Sequence, residues 1–163
     1  MYQYDRPGKL NHPWCAAYDV VNDRIIVSDC NNHRVQIFGM DTSFITTFGS
    51  FGSDQNQLHN PRGLCLTPSN RIVVADCNNR RVQLYINSGN AKKRSTPSSE
   101  TPHQPGNRLT TFCEPYGVSS NSNDYIFVTD RVSHQVKILD DQGNFVRAIG
   151  TQDKLDVYDD VAV

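Results

Sequence analysis

Arg24-Ile-Ile-Val-Ser-Asp-Cys-Asn-Asn-His-Arg-Val-Gln-Ile-Phe38 and Arg71-Ile-Val-Val-Ala-Asp-Cys-Asn-Asn-Arg-Arg-Val-Gln-Leu-Tyr85 are two copies of one phrase. A third copy, more divergent, reads Tyr125-Ile-Phe-Val-Thr-Asp-Arg-Val-Ser-His-Gln-Val-Lys-Ile-Leu139. Each is preceded by a short segment around a proline: Asn11-His-Pro-Trp-Cys15, His59-Asn-Pro-Arg-Gly-Leu64 and Cys113-Glu-Pro-Tyr-Gly-Val118. The equivalent aspartates Asp29, Asp76 and Asp130 are 47 and 54 residues apart. Self-similarity at a fixed period decides the architecture before any single segment does.

The pattern inside each copy is that of strands. Ile25-Ile-Val27 and Ile72-Val-Val74 are short β-branched runs bounded by turn residues. Arg34-Val-Gln-Ile-Phe38 and Arg81-Val-Gln-Leu-Tyr85 alternate with period two. The Asp-Cys-Asn-Asn between them reads as a tight turn, because Asp and Asn side chains bond nearby backbone and Asn tolerates positive φ. Helical repeats of this length need amphipathic stretches of about ten residues, and the chain has none. An all-β fold with a repeat of this length predicts a β-propeller of four-stranded antiparallel blades.

Strand a of each blade follows the proline (14–20, 62–66, 116–119), b precedes the aspartate and c follows the turn. Strand d is expected at 44–48 and 145–149, each ending at a glycine. The propeller segment then runs over 10–163. Blade one is 13–58, blade two 59–112 and blade three 113–154. Residues 155–163 align without a gap to 58–66 and are expected to be the first strand of a fourth blade. Blade two shows no strand d of its own. In its place stands an insertion, 86–107, rich in Pro, Ser, Gly and charge and expected to be disordered. Within it Ser95, Thr96 and Thr101 follow Lys92-Lys-Arg94 and are candidate phosphorylation sites. Leu109-Thr-Thr-Phe112 is a candidate substitute strand.

The run Asp-x-Asn-Asn-x-Arg-Val-Gln-x-Phe/Tyr, with Phe-Gly-Ser-x-Gly-Ser at 48–53 and Leu-x-x-Pro-x-Gly at 58–63, resembles the NHL repeat, and most of all the repeats of animal TRIM-NHL proteins. The resemblance implies a partial propeller, open or self-associating, since that family commonly has six blades. It implies a non-catalytic recognition module for single-stranded RNA or a protein partner. Any ubiquitin ligase activity would lie in a RING domain absent here, so the chain would select substrates for such a system. A pure protein-interaction scaffold is the alternative. A remnant of a propeller lactonase or lyase is a third.

Composition narrows the classes. The 163 residues carry a net charge of -1, with 37% hydrophobic and 20% charged residues. This balance excludes a strongly basic nucleic-acid arm, and no DNA partner is expected. No apolar run approaches the roughly 20 residues needed to cross a bilayer, and no leader segment is visible. Five cysteines, an odd number and without Cys-x-x-Cys spacing, point to a reducing, cytoplasmic setting. Three blades and a strand leave three expectations: a piece of a longer chain, pairing with a second copy, or an open arc.

Catalytic and metal motifs are missing. There is no H-E-x-x-H, P-loop, G-x-S-x-G or G-x-G-x-x-G. Asp29-x-Asn31 and Asp76-x-Asn78 begin like calcium loops, but an EF-hand needs Gly sixth and Glu twelfth. The chain has Arg34 and Met40, then Arg81 and Asn87. The five histidines show no ligand spacing, so no cofactor is expected. Asp29, Asp76 and Asp130 recur at one place per blade and read as structural, accepting turn N–H groups with Arg34 or Arg81 close by; blade three has Gln135 there.

Because strands reverse, the loop before strand a and the b–c turn open on one face. The residues that differ among matching blades are Trp14, Arg62 and Tyr116 after the proline, and His33, Arg80 and His134 in the turn. Asn31 and Asn78 add polar groups. Aromatic and Arg planes stack on unpaired bases and Arg contacts phosphate, which suits single-stranded RNA. The same residue types anchor protein interfaces.

Overall fold

The computed structural model describes residues 5–87 and 112–150. Among these residues eleven strands form three antiparallel sheets. The first sheet is β1 (Pro13–Asp19), β2 (Arg24–Asp29), β3 (Arg34–Gly39) and β4 (Phe44–Phe48), in that order. The second is β5 (Pro61–Leu66), β6 (Arg71–Asp76) and β7 (Arg81–Ile86). The third is β8 (Pro115–Ser120), β9 (Ile126–Asp130), β10 (Gln135–Leu139) and β11 (Phe145–Ile149). Each sheet is a meander in which every strand pairs with its sequence neighbour, as a propeller blade requires. Each opens with the proline of strand a opposite the aspartate of strand b: Pro13 with Asp29, Pro61 with Asp76, Pro115 with Asp130.

The insertion begins later than its composition suggests. Ile86 completes β7, and Asn87 is buried in a polar network. Asn87 Nδ2 donates to Asp19 Oδ2 and Asn70 Oδ1, and Arg24 Nη2 donates to Asn87 Oδ1. Burial alone would raise the pKa of Asp19, but these donors, with Arg24 and Asn22, take it down to about 2. The Ser95, Thr96 and Thr101 sites, the rest of the insertion, residues 109–111 and the expected strand at 155–163 lie outside the described residues. Phe112 is buried against blade two but belongs to no strand.

The apolar runs follow from packing. β6 is covered on both faces. Ile72 and Val74 point into one core with Ile26, Val35 and Ile37 of blade one, while Val73 and Ala75 point into another with Val118, Ile126 and Val128 of blade three. A strand buried on both sides loses its alternation and reads as a continuous apolar run. The first strands β1, β5 and β8 lie side by side, so the blades fan out from them. At this inner seam a Cβ on Gly63 would stand 2.3 Å from the Tyr116 carbonyl oxygen. That contact explains the glycine of the Pro-x-Gly motif.

The b–c turns are short 3-10 turns, Cys30–Asn32 and Cys77–Asn79. Their asparagines are not the positive-φ residues. That conformation falls on His33 (54°), Arg80 (57°) and, in blade three, His134 (53°). Asn32 and Asn79 instead donate through Nδ2 to Asp29 and Asp76 at 2.9 Å.

Candidate recognition face

The repeated aspartates form the base of the site. Asp29 is fully buried. Its Oδ1 accepts the Asn11 N–H at 2.6 Å, and its Oδ2 accepts Arg34 Nε at 2.7 Å and Gln36 Nε2 at 2.8 Å. The rest of the Arg34 guanidinium donates to the carbonyls of Asp5, Arg6 and Lys9. Blade two repeats this. Asp76 accepts His59 N–H, Arg81 Nε and Gln83 Nε2, and Arg81 clasps the carbonyls of Ser53, Asp54 and Gln57. Blade three moves the cation. Gln135 stands where the arginine was, and Lys137, two residues on, donates to Asp130 Oδ2. Lys137 Nζ also lies 4.9 Å from the Phe112 ring centroid. Burial alone would raise the Asp130 pKa, but the Lys137 hydrogen bond and the Glu114 and Cys113 N–H groups hold it below the ordinary carboxylate value.

On this base the turn and the loop before strand a are tied together in each blade. The N–H groups of Asn31, Asn78 and Arg131 donate to the carbonyls of Asn11, His59 and Glu114. The two arcs expected to share a face therefore do so. Trp14, Arg62 and Tyr116 meet across three blades. The Arg62 guanidinium lies 4.1 Å from the Tyr116 ring centroid and 5.0 Å from that of Trp14. The two rings are themselves edge to face at 5.2 Å. Arg62 Nη1 also donates to Glu114 Oε1 at 3.0 Å. Burial disfavours the Arg62 cation, but the Glu114 hydrogen bond, together with Cys77, Tyr116 and the Glu114 charge, outweighs it and the pKa is raised.

Two sequence expectations change here. Tyr116 is only 6% exposed, so it supports the face from below. Arg62 is already engaged by two rings and a carboxylate. Sequence reasoning did not place Glu114 or Arg131 on the face. Arg131 stacks over Tyr116 at 5.5 Å and pairs with Glu114 at 3.7 Å. Both contacts are long-range, and only the position of Glu114 directly before a blade's proline hinted at them.

The turn positions divide. Arg80 is exposed; its N–H donates to the Cys77 carbonyl, and its guanidinium makes no ion pair or hydrogen bond among the described residues. His33 joins a second aromatic group with Phe51 and His59, at ring distances of 4.8 and 5.4 Å. Its Nδ1 accepts the Asn60 N–H at 3.1 Å, which fixes the proton on Nε2. Burial first, then His59, hold its pKa below the usual imidazole value. Phe51 is 64% exposed and was not foreseen, since it lies in the connection between blades. Asn78 and Asn31 are exposed and both reach Asn60. His134 is half-buried, its Nδ1 enclosed and without a hydrogen bond. Beneath the face, burial raises the Cys30 thiol pKa and pushes that of Cys77 up to about 11, so neither favours the thiolate. No three His, Cys, Asp or Glu side chains among the described residues gather to hold a metal ion.

Meandering antiparallel sheets, two of four strands and one of three among the described residues, fanned about their first strands, define a β-propeller segment. The repeat is specific: residues 10–38 and 58–85 match the NHL repeat family, so the chain carries NHL repeats in its first two blades. Protein brain tumor of Drosophila melanogaster is 27% identical over 157 residues, which cover 91% of this chain and 13% of that protein. Among solved structures, the Nidogen/Laminin complex contains a chain that superposes with a TM-score of 0.62 at 16% identity, over 91% of this chain and 51% of that one. Streptogramin B lyase superposes at 0.58 and 10% identity, over 89% and 41%. At such identities the likeness is one of fold alone. No helix among the described residues is long and apolar enough to cross a membrane.

Proposed function

We propose that the chain is a non-catalytic recognition module whose face of b–c turns and strand-a loops takes single-stranded RNA. The observation that carries this reading is local charge beside an accessible ring. Arg62 and Arg131 gather around one carboxylate, Glu114, and Arg80 stands exposed in the b–c turn of blade two, although the whole chain has a net charge of -1. Trp14, 37% exposed, offers a stacking plane beside them. Arg80 supplies an unengaged cation for phosphate, and Arg131, 45% exposed, a second that is only loosely paired. Ubiquitin transfer, if the chain serves it, would be carried out by a domain elsewhere, with this face choosing the substrate.

The test is binding of a labelled unstructured oligoribonucleotide across a salt series. Contacts with two or three phosphates give a slope of about -1.4 to -2.1 in log K against log salt. Arg80→Ala with Arg131→Ala is expected to flatten that slope and weaken binding by tenfold or more. Absence of binding at low salt contradicts the reading.

One observation favours a protein partner instead. The Arg62 guanidinium is stacked and ion-paired within the chain, as interface anchors often are. That reading predicts loss of partner binding on Trp14→Ala with little salt dependence.

A further inference from the structure

The connection from β4 to β5 carries an aromatic ring on a firmly held backbone. Phe51 is 64% exposed. It forms a bridge with Leu58 across the connection, and the Gly52 N–H donates to the Leu58 carbonyl. Asn79 Nδ2, from the b–c turn of blade two, donates to the Gly52 carbonyl at 2.8 Å. The Arg81 guanidinium holds the carbonyls of Ser53, Asp54 and Gln57. The ring itself rests against two imidazoles, His33 at 4.8 Å and His59 at 5.0 Å. One exposed apolar side chain needs no explanation by itself. On a backbone tied at this many points, however, it is a stacking plane already ordered before a ligand arrives.

The same joint between blades one and two presents a carboxamide with free groups. The Asn60 amide bridges the two turns. Its Nδ2 donates to Asn31 Oδ1 and the Cys30 carbonyl, both at 3.4 Å, and its Oδ1 accepts Asn78 Nδ2 at 2.9 Å. Asn31 Oδ1 is thereby engaged. Asn78 is exposed and keeps its Oδ1 and a second N–H without a partner among the described residues. Blade three has Val132 at this place and offers no amide there. Two residues after Asn78 stands the unengaged guanidinium of Arg80.

We infer that this joint is an adenine subsite: the base stacks on Phe51 and its edge pairs with Asn78, while Arg80 takes a phosphate of the same strand. The inference rests on the reading of the face as one for single-stranded RNA and adds the base that it selects. A carboxamide sets one donor beside one acceptor and needs a base edge with the complementary pair. Adenine presents such a pair on both of its open edges, atom N6 with N1 and atom N6 with N7. Uracil and cytosine present one only on the Watson–Crick edge, and the Hoogsteen edge of guanine has two acceptors. The two-ring plane of a purine also covers more of a phenyl ring than a pyrimidine does, so stacking favours it too.

The test is fluorescence anisotropy with two labelled probes, a short oligouridylate and the same strand with one central adenosine. The adenosine strand is expected to bind about tenfold more tightly, as one bidentate amide–adenine pair gives. Asn78→Ala should abolish that preference and leave the affinity for the all-uridine strand within about twofold, since the phosphate contacts remain. Phe51→Ala should weaken the adenosine strand about tenfold, and the all-uridine strand less, through lost stacking. Both side chains are exposed, so each variant should keep the wild-type circular dichroism spectrum and melting temperature. Equal binding of the two strands by the wild type overturns the inference and leaves the wider RNA reading standing. So does a preference for adenosine that survives Asn78→Ala. If neither strand binds at low salt, the RNA reading falls, and this inference falls with it.

Discussion

The aspartate centres of blades one and two differ from that of blade three by one exchange. Arg-x-Gln on strand c (Arg34 and Gln36; Arg81 and Gln83) becomes Gln135-x-Lys137. The carboxylate is buried in all three blades, and in all three it is neutralised by a cation from strand c. What changes is reach. A guanidinium spends one N–H on the aspartate and has four left, and in blades one and two these hold the carbonyls of the incoming connection. An ammonium is a point charge with three donors. Charge compensation is therefore the fixed requirement of the repeat, and clasping the connection is an additional function of the arginine blades.

The largest effect should come from removing the shared element. Asp76→Ala leaves the Arg81 cation and the Gln83 amide around an empty place and should cost about 3–5 kcal/mol, measured by urea unfolding. Next is the exchange itself. Lys137→Gln should cost about 2 kcal/mol, because Asp130 is left without a cation. Adding Gln135→Arg to it should return stability to within about 1 kcal/mol of wild type. If the double variant is no better than the single, charge compensation is not what the blades share. The single variant also has a pH signature. Asp130 has a lowered pKa, so its contribution is present above the ordinary carboxylate range and is lost as pH falls through the folded-state value. Lys137→Gln should move that loss to higher pH.

Arg81→Lys keeps the charge and removes the clasp. It should cost about 1–2 kcal/mol and speed amide exchange at 53–57, read by hydrogen exchange. The smallest effect concerns His33, which is neutral and accepting in the folded chain. Its lowered pKa means that the unfolded state binds more protons between the folded-state pKa and about 6.5. Stability should therefore fall as pH drops through that window, and His33→Asn should remove the dependence, read by urea unfolding at two pH values.

The strands, their order and the sharing of one face by two arcs were legible because a repeat displays its own alignment. The aspartates and Arg34 and Arg81 were legible as scaffold for the same reason. The compensation by Lys137 was within reach, since residues two apart on a strand share a face, but comparing blades one column at a time hides a charge that moves between columns. The positive φ was assigned to asparagine by propensity, whereas the turn geometry places it on the variable residue, whatever its type. Asn87 was hidden by the Ser and Gly that follow it. The Arg62–Glu114 pair spans 52 residues and three-dimensional folding alone brings it together. The same is true of Phe51, His33 and His59.

Trp14 is the only tryptophan in the chain and stands on the proposed face beside Arg62. Its fluorescence during titration with a short unstructured oligoribonucleotide therefore reports on that face alone. Single-stranded RNA binding there predicts saturable quenching that weakens as salt is raised and is lost in the Arg80→Ala, Arg131→Ala variant. Binding seen by anisotropy with no change at Trp14, or no binding at all at low salt, would contradict the assignment of this face.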